Sequence, residues 1–210
     1  MGEAKLKIML VDDHYLVRMG LSSVIALERD MTICAEASTG AEAIALFRTH
    51  RPDVTLMDLR MPLLDGVAAS RAILKEWPDA RIIALTSYAG DQDIYRALEA
   101  GVRAYLLKEM AHSEIVRAIR TVHSGKRLMQ GDIAERLRDH PPQTTLTARE
   151  VEVLRFVAQG LGNKEIGDQI GTAAGTVKIH IQNILSKLGA ADRTHAVVIA
   201  LRRGILHLDT

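Results

Sequence analysis

The sequence has no long apolar run. Its longest is Ala196–Leu201, six residues, against the roughly 20 that a membrane-spanning helix needs. Nor do its first residues carry an extended apolar stretch, so no secretory signal is expected. Cysteine is nearly missing: Cys34 is the single one in 210 residues. An internal disulfide and a cysteine-rich zinc site are thereby excluded. Cys34 falls in a strand-like run and reads as a small buried hydrophobe. Charge of one sign is not in excess either. The 27 Lys/Arg and 26 Asp/Glu leave a net charge of +1, and no basic tail marks a nucleic-acid partner. Residues 1–126 hold 16 basic and 17 acidic side chains, residues 127–143 three of each, and residues 144–210 eight against six. With 48% apolar and 25% charged residues, the composition is that of a folded chain. A cytoplasmic protein of one or two domains is expected.

What is present is a rhythm. The runs Leu6–Val11, Thr32–Ala37, Val54–Met57, Ile82–Leu85 and Ala104–Leu107 alternate with helix-like stretches near 15–28, 41–50, 66–77, 92–100 and 113–124. Runs this short suit strands buried on both faces. Gly40, Gly66, Gly101 and Gly125 fall at the joints. Five β–α units predict an α/β doubly wound five-stranded parallel sheet over residues 1–126. From Arg127 the strand pattern stops. Residues 127–145 read as a linker, with a short helix at Ile133–Leu137 and a polar stretch broken by Pro141 and Pro142. Residues 146–210 read as an all-α unit of four helices. Thr147 and Glu150 fit a capping box. Asn163 is placed to cap a second helix through Ile170. Gly171 allows a tight turn, Thr172 is placed to cap a helix ending near Leu188 with Gly189 as its stop, and Asp192 to cap the last.

Polar residues collect where the predicted strands end. Asp12 and Asp13 follow the first run, Asp58 the third, Thr86 the fourth and Lys108 the fifth. A doubly wound sheet binds ligands beyond the carboxyl ends of its strands, so these residues converge on one crevice. Three carboxylates there call for a hard, oxygen-seeking cation, and Mg²⁺ fits. A carboxylate can attack phosphorus to form an acyl phosphate. Positioning and charge neutralisation do most of such a transfer, and Lys108 and Thr86 are placed to meet the phosphoryl oxygens. Singly, each residue has a plainer use: a turn or cap for the aspartates, a strand end for Thr86, a solvated charge for Lys108. Four strands each ending in a suitable residue favour the joint reading.

These pieces carry a resemblance. Val11-Asp12-Asp13-His14, the run Met57-Asp58-Leu59-Arg60-Met61-Pro62-Leu63-Leu64-Asp65-Gly66, Leu85-Thr86-Ser87 and the run from Gly101 to Lys108 resemble the receiver domain of bacterial two-component response regulators. The resemblance implies that Asp58 accepts the phosphoryl group. It implies that Asp12, Asp13 and Asp58 hold Mg²⁺ with the Arg60 backbone carbonyl, and that Thr86 and Tyr105 form the switch pair. Arg60 and Tyr88 would border the path of attacking water and set the phosphoryl lifetime. Glu109 stands where many receivers have proline. A hydrolase with an aspartyl nucleophile is the rival from another class. Such enzymes carry a second Asp two residues after the nucleophile, where this chain has Arg60, so it is not read as an enzyme. No P-loop run exists.

In the third C-terminal helix, a 100° step puts Val177, Ile181, Ile184, Leu185 and Leu188 on one side. Lys178, Ile179, Gln182, Asn183 and Ser186 fall on the other. Thr176, His180 and Lys187 flank that face, and Asn163 and Lys164 open the preceding helix; all five can reach phosphates. Periodicity leaves a solvated bundle face and a DNA-reading helix equally open. The motifs Leu146–Leu154, Gly160–Ile166, Gly175–His180, Leu185–Gly189 and Asp192-Arg193 resemble the LuxR-class helix-turn-helix, and the whole chain resembles the NarL/FixJ subfamily of response regulators. That resemblance implies double-stranded DNA as a partner, with Lys178, Ile179 and Gln182 toward the bases. A sensor histidine kinase would supply the phosphoryl group. A homodimer is expected when the chain is phosphorylated or on DNA, through Val197, Val198 and Leu201 of the last helix; RNA polymerase is a candidate contact. A regulator that binds DNA without a phosphoryl switch is the second reading, disfavoured by the complete pocket. Gly162, Gly167 and Ala173-Ala174 depart from the usual pattern. Gly167, inside a helix, is expected to cost up to about 1 kcal/mol relative to Ala. Eight basic residues against six give one copy a weak grip, which pairing on two half-sites would strengthen.

Overall fold

Five parallel strands form one sheet in the order β2-β1-β3-β4-β5. The computed structural model describes residues 5–86, 91–109, 112–128 and 146–206. These fall into two units. The first runs β1 (Leu6–Val11), α1 (Tyr15–Ala26), β2 (Met31–Ala37), α2 (Gly40–His50), β3 (Val54–Asp58), α3 (Gly66–Glu76), β4 (Ile82–Thr86), α4 (Asp91–Glu99), β5 (Ala104–Leu107) and α5 (His112–His123). The expected elements are all there, with ends within about two residues.

The strands are short because both faces are covered. Every residue of β3 and β4 is buried. On one face Ile8, Leu10, Leu56 and Leu85 pack with Leu21, Val24 and Ile25 of α1 and with Ile115, Ile119 and Val122 of α5. Alternation along the strands turns Met9 and Met57, both fully buried, to the opposite face. Helix starts are set locally. The Thr39 side chain accepts from the Glu42 amide at 3.2 Å to open α2, and Asp65 Oδ1 accepts from the Ala68 amide at 2.7 Å to open α3. After α5 the chain returns to the sheet: Leu128 forms a parallel bridge with Ala104, and its amide donates to the Arg103 carbonyl at 3.0 Å.

β2 carries an irregularity in its pairing with β1. Ile8 pairs with Ile33 but Met9 with Ala35, so Cys34 is the extra residue of a bulge. It is half-buried rather than enclosed as expected, and burial pushes its thiol pKa up, against a reactive thiolate.

The second unit contains α6 (Ala148–Ala158), α7 (Asn163–Ile170), α8 (Ala174–Leu188) and α9 (Arg193–Arg202). Val153, Leu154, Val157, Ile166, Val177, Ile184, Leu188, Ala196 and Ala200 form its core. The capping box at Thr147 and Glu150 is formed, and Asp192 Oδ1 accepts from the His195 amide at 2.8 Å. Gly171 and Gly189 adopt the left-handed conformation at φ 67° and 65°. Two expected caps move by one residue. Gly162, in extended geometry, precedes α7 and donates its amide to Glu165 Oε2 at 2.6 Å, so Asn163 is the first helical residue. Ala173, not Thr172, precedes α8. Thr172 is committed elsewhere: its amide donates back to the Gly167 carbonyl at 2.9 Å, closing the end of α7.

Gly167 reverses its expected sign. A Cβ there would lie 2.5 Å from the Thr172 carbonyl oxygen, so the turn between α7 and α8 uses the missing side chain. The gain in helix propensity of up to about 1 kcal/mol is set against overpacking of about 1–3 kcal/mol. Gly167→Ala should therefore lower stability by about 1–2 kcal/mol. Thermal unfolding of the 146–206 unit in the full chain measures it; a raised midpoint would restore the propensity view.

Candidate functional site

The strand order places β1 beside β3, the point where the winding of the sheet changes direction and where such sheets bind ligands. Asp12 directly follows β1. Asp58 and Thr86 are the last residues of their own strands, paired with Leu85 and Leu107. Asp12 is 0% exposed and Asp58 2%. Two glycines allow the loop after Asp58 to close over it. A Cβ on Gly66 would lie 1.9 Å from the Asp58 carbonyl oxygen, and one on Gly40 2.4 Å from that of Leu64.

Lys108 binds the two buried aspartates together. Its Nζ lies 2.6 Å from Asp12 Oδ2 and 2.8 Å from Asp58 Oδ2. The lysine is itself aimed by the backbone, its amide donating to the Thr86 carbonyl at 2.8 Å. Asp58 Oδ1 accepts from the Arg60 amide at 3.1 Å. Burial pushes the Asp58 carboxyl up to about 6, with Lys108 pulling against it. For Lys108 burial works against the charge. Its hydrogen bonds to Asp12 and Asp58 outweigh that, and its pKa is raised. Asp13 is partly exposed, with His14 Nδ1 2.8 Å from its Oδ1 and 3.4 Å from Asp12 Oδ1. One donor atom each from Asp12, Asp13, His14 and Asp58 lies within 4.8 Å of the others. Three of these four donors are carboxylate oxygens, a set that fits Mg²⁺. Thr86 and Tyr105 are buried at 1% and 0% exposure. Tyr88 lies outside the described residues, as does the expected helix at Ile133–Leu137. The Lys108–Glu109 peptide is trans.

In the second unit α8 shows the two faces that its periodicity predicts. Val177, Ile184 and Leu188 are buried, while Thr176, Lys178, Ile179, Gln182, Asn183 and Ser186 are exposed. Ile179, 57% exposed, is an apolar residue left in water amid a polar face. His180 and Asn163 are half-buried and Lys164 is exposed. Val198 faces outward, whereas Val197 and Leu201 pack partly against the unit's own core. Lys187 Nζ sits 2.7 Å from Oε2 of the capping glutamate Glu150. Arg149 pairs with Glu152 and donates to the Ile170 carbonyl, and Arg193 donates to the Leu161 carbonyl at 2.6 Å. These cations have structural work inside the unit.

Both units match known families. Residues 8–120 match the response regulator receiver domain, and residues 144–200 match the luxR family of bacterial regulatory proteins. The chain is a two-component response regulator. It is similar over nearly its whole length to the transcriptional regulatory protein LiaR of Bacillus subtilis, 41% identical over 96% of this chain and all of that one. The response regulator protein VraR of Staphylococcus aureus is 37% identical, over 96% of this chain and 99% of its own. Among solved structures, the response regulator ChrA of a heme-sensing two-component system is 35% identical over 97% of this chain and all of that one, with a TM-score of 0.58. As a response regulator with a luxR-type helical domain, the protein is a DNA-binding regulator of transcription. Among the described residues no helix is long and apolar enough to cross a membrane.

Sequence reasoning did not single out His14 or Arg18, or the structural tasks of Arg149, Arg193 and Lys187. The Asp-Asp-His run was a signal for the first. The others depend on contacts between elements far apart in sequence. Glu150 sharpens the last case. Burial works to raise its carboxyl, but Lys187 first, then the Thr147 amide and hydroxyl, outweigh it and hold it below its ordinary value. A depressed carboxyl contributes stability that is present above its unfolded value and lost as pH falls through the folded one. Lys187→Met should therefore destabilise the helical unit at pH 7 by about 1–3 kcal/mol and start its acid unfolding at higher pH. NMR of residues 146–206 in the full chain during acid titration reads both.

Proposed function

We propose that Asp58 is the phosphoacceptor of this regulator and that its phosphorylation controls pairing on DNA. The observation that carries this reading is the buried bridge of Lys108 between Asp12 and Asp58, with Asp13 at the pocket's edge. An Asp58 oxygen attacks the phosphorus of a phosphohistidine on a sensor kinase. The P–O bond forms, the P–N bond breaks, and the imidazole leaves and takes a proton. Lys108 turns from carboxylate to phosphoryl oxygen, and the Thr86 hydroxyl donates to another. Asp12, Asp13 and Asp58, with the Arg60 carbonyl, would hold Mg²⁺, which supplies positive charge to the phosphoryl oxygens. Loss of the Lys108–Asp58 pair and movement of Thr86 and Tyr105 shift the balance between receiver states. Arg60 and Tyr88 limit the approach of water and so set the lifetime. The transfer is a switch, not turnover of a free substrate.

On the output side α8 enters the major groove, with Lys178, Ile179 and Gln182 toward base edges. Thr176, His180, Asn163, Lys164 and Lys187 lie along the phosphates, Lys187 while keeping its bond to Glu150. Val198 leads the dimer contact on α9, with Val197 and Leu201 behind it. The regulator works in the cytoplasm with a sensor kinase, and RNA polymerase is a candidate contact.

Two experiments test the two halves. With Mg²⁺ and acetyl phosphate, intact mass and peptide mapping should find one acid-labile phosphoryl adduct on Asp58; Asp58→Asn or EDTA should abolish it. An adduct that persists in Asp58→Asn would move the acceptor elsewhere. Lys178→Ala should weaken binding to the preferred operator by about 1–3 kcal/mol and leave random DNA nearly unaffected. Equal losses on both, measured by fluorescence anisotropy after operator selection, would reassign Lys178 to a phosphate.

A further inference from the structure

Asp12 is held from two sides. Its carboxylate meets Lys108 in the pocket, while its backbone carbonyl meets a second cation. Arg18, in the first turn of α1, donates from Nη1 to the Asp12 carbonyl oxygen at 2.5 Å. The Arg18 side chain is only 15% exposed, and its Nε stands 3.6 Å from Glu36 Oε2 on β2. Its guanidinium carbon lies 5.8 Å from the centre of the Tyr15 ring. The guanidinium is therefore gripped from β2 and from its own helix while it reaches the end of β1.

The carbonyl it holds belongs to the peptide that joins Asp12 to Asp13. That peptide is a rigid plane, so its rotation would swing the Asp13 carboxylate relative to that of Asp12. Three backbone and side-chain bonds already pin the near side. The Asp12 amide donates to the Ala37 carbonyl at 3.1 Å, the His14 amide donates to Asp12 Oδ1 at 2.9 Å, and Lys108 takes Oδ2. None of them fixes the carbonyl itself. Arg18 does.

We infer that Arg18 is a positioning residue for the cation site: it locks the Asp12–Asp13 peptide so that both carboxylates face one ion. The inference rests on the metal reading above and adds to it a residue outside the acidic motif. Partners that orient metal ligands from behind typically change metal affinity about 10–100-fold when removed. Arg18 does not touch the ion or the phosphoryl group, so its effect should appear in metal binding before any chemistry.

The test is Mn²⁺ binding to the full, unphosphorylated chain, read as loss of the free-ion EPR signal, with thermal unfolding followed alongside. Arg18→Met should weaken Mn²⁺ binding about 10-fold or more at a temperature where the protein stays folded. Arg18→Lys should recover part of it, because an ammonium can still donate to the Asp12 carbonyl, though without the planar fork. Glu36→Gln should give a smaller weakening, since it loosens the grip on the guanidinium. Should Arg18→Met fail to fold, Arg18→Lys and Glu36→Gln carry the same test. Variants that bind Mn²⁺ as tightly as the wild type, whatever their unfolding midpoints, would make Arg18 a staple between α1 and β2 and overturn the inference. Asp13→Asn separates the two layers: a wild type that binds no more Mn²⁺ than Asp13→Asn sinks the metal reading itself.

Discussion

Two buried aspartates share one lysine, and the receiver is arranged around that fact. Asp12 and Asp58 lie almost wholly out of water. Placing an uncompensated ion there costs several kcal/mol, roughly, even after relaxation. Lys108 offsets the repulsion because the sheet brings the ends of β1, β3 and β5 to one rim. Burial pushes the Asp58 carboxyl up to about 6, with Lys108 pulling against it. On the proposed reading, a phosphoryl group that takes the lysine would rearrange this cluster.

The backbone around the pocket is shaped to this end. Gly66 lets α3 start against the Asp58 carbonyl, a position that a Cβ would fill. The Lys108 amide ties the end of β5 to the end of β4 through the Thr86 carbonyl, so Lys108 and Thr86 are spaced by a main-chain bond. Leu128 then joins the chain that leaves α5 back to β5 at Ala104, next to the buried Tyr105.

The helical unit follows a different economy of charge. Arg149, Lys187 and Arg193 are bound to carbonyls or carboxylates of their own unit. Its small positive excess is therefore not spread freely over the surface. What α8 offers outward is a polar face with Lys178 near its start and an exposed Ile179.

Period and punctuation made most of the architecture legible. Five short apolar runs between amphipathic stretches sufficed for the parallel sheet, and Thr147, Asp192, Gly171 and Gly189 marked helix ends because their roles are local. The pocket was legible too, since residues that follow strands meet at one rim whatever the loops do. Three things were not. Thr172 and Asn163 lost their expected capping roles to neighbours, because the amide of Thr172 was needed by Gly167 and the start of α7 by Gly162. Gly167 looked like a helix defect until the Thr172 carbonyl was seen to occupy its Cβ space. Arg18 carried no signal, and Lys187 read as a cation for DNA phosphates rather than as the partner of Glu150. The sequence by itself determined the elements, their order and the chemistry at the strand ends, because propensity, periodicity and residue type act within a few positions. Only the tertiary structure decided which carbonyl Arg18 holds, which glutamate Lys187 meets and which glycines have no room, because those depend on atoms brought together across the fold.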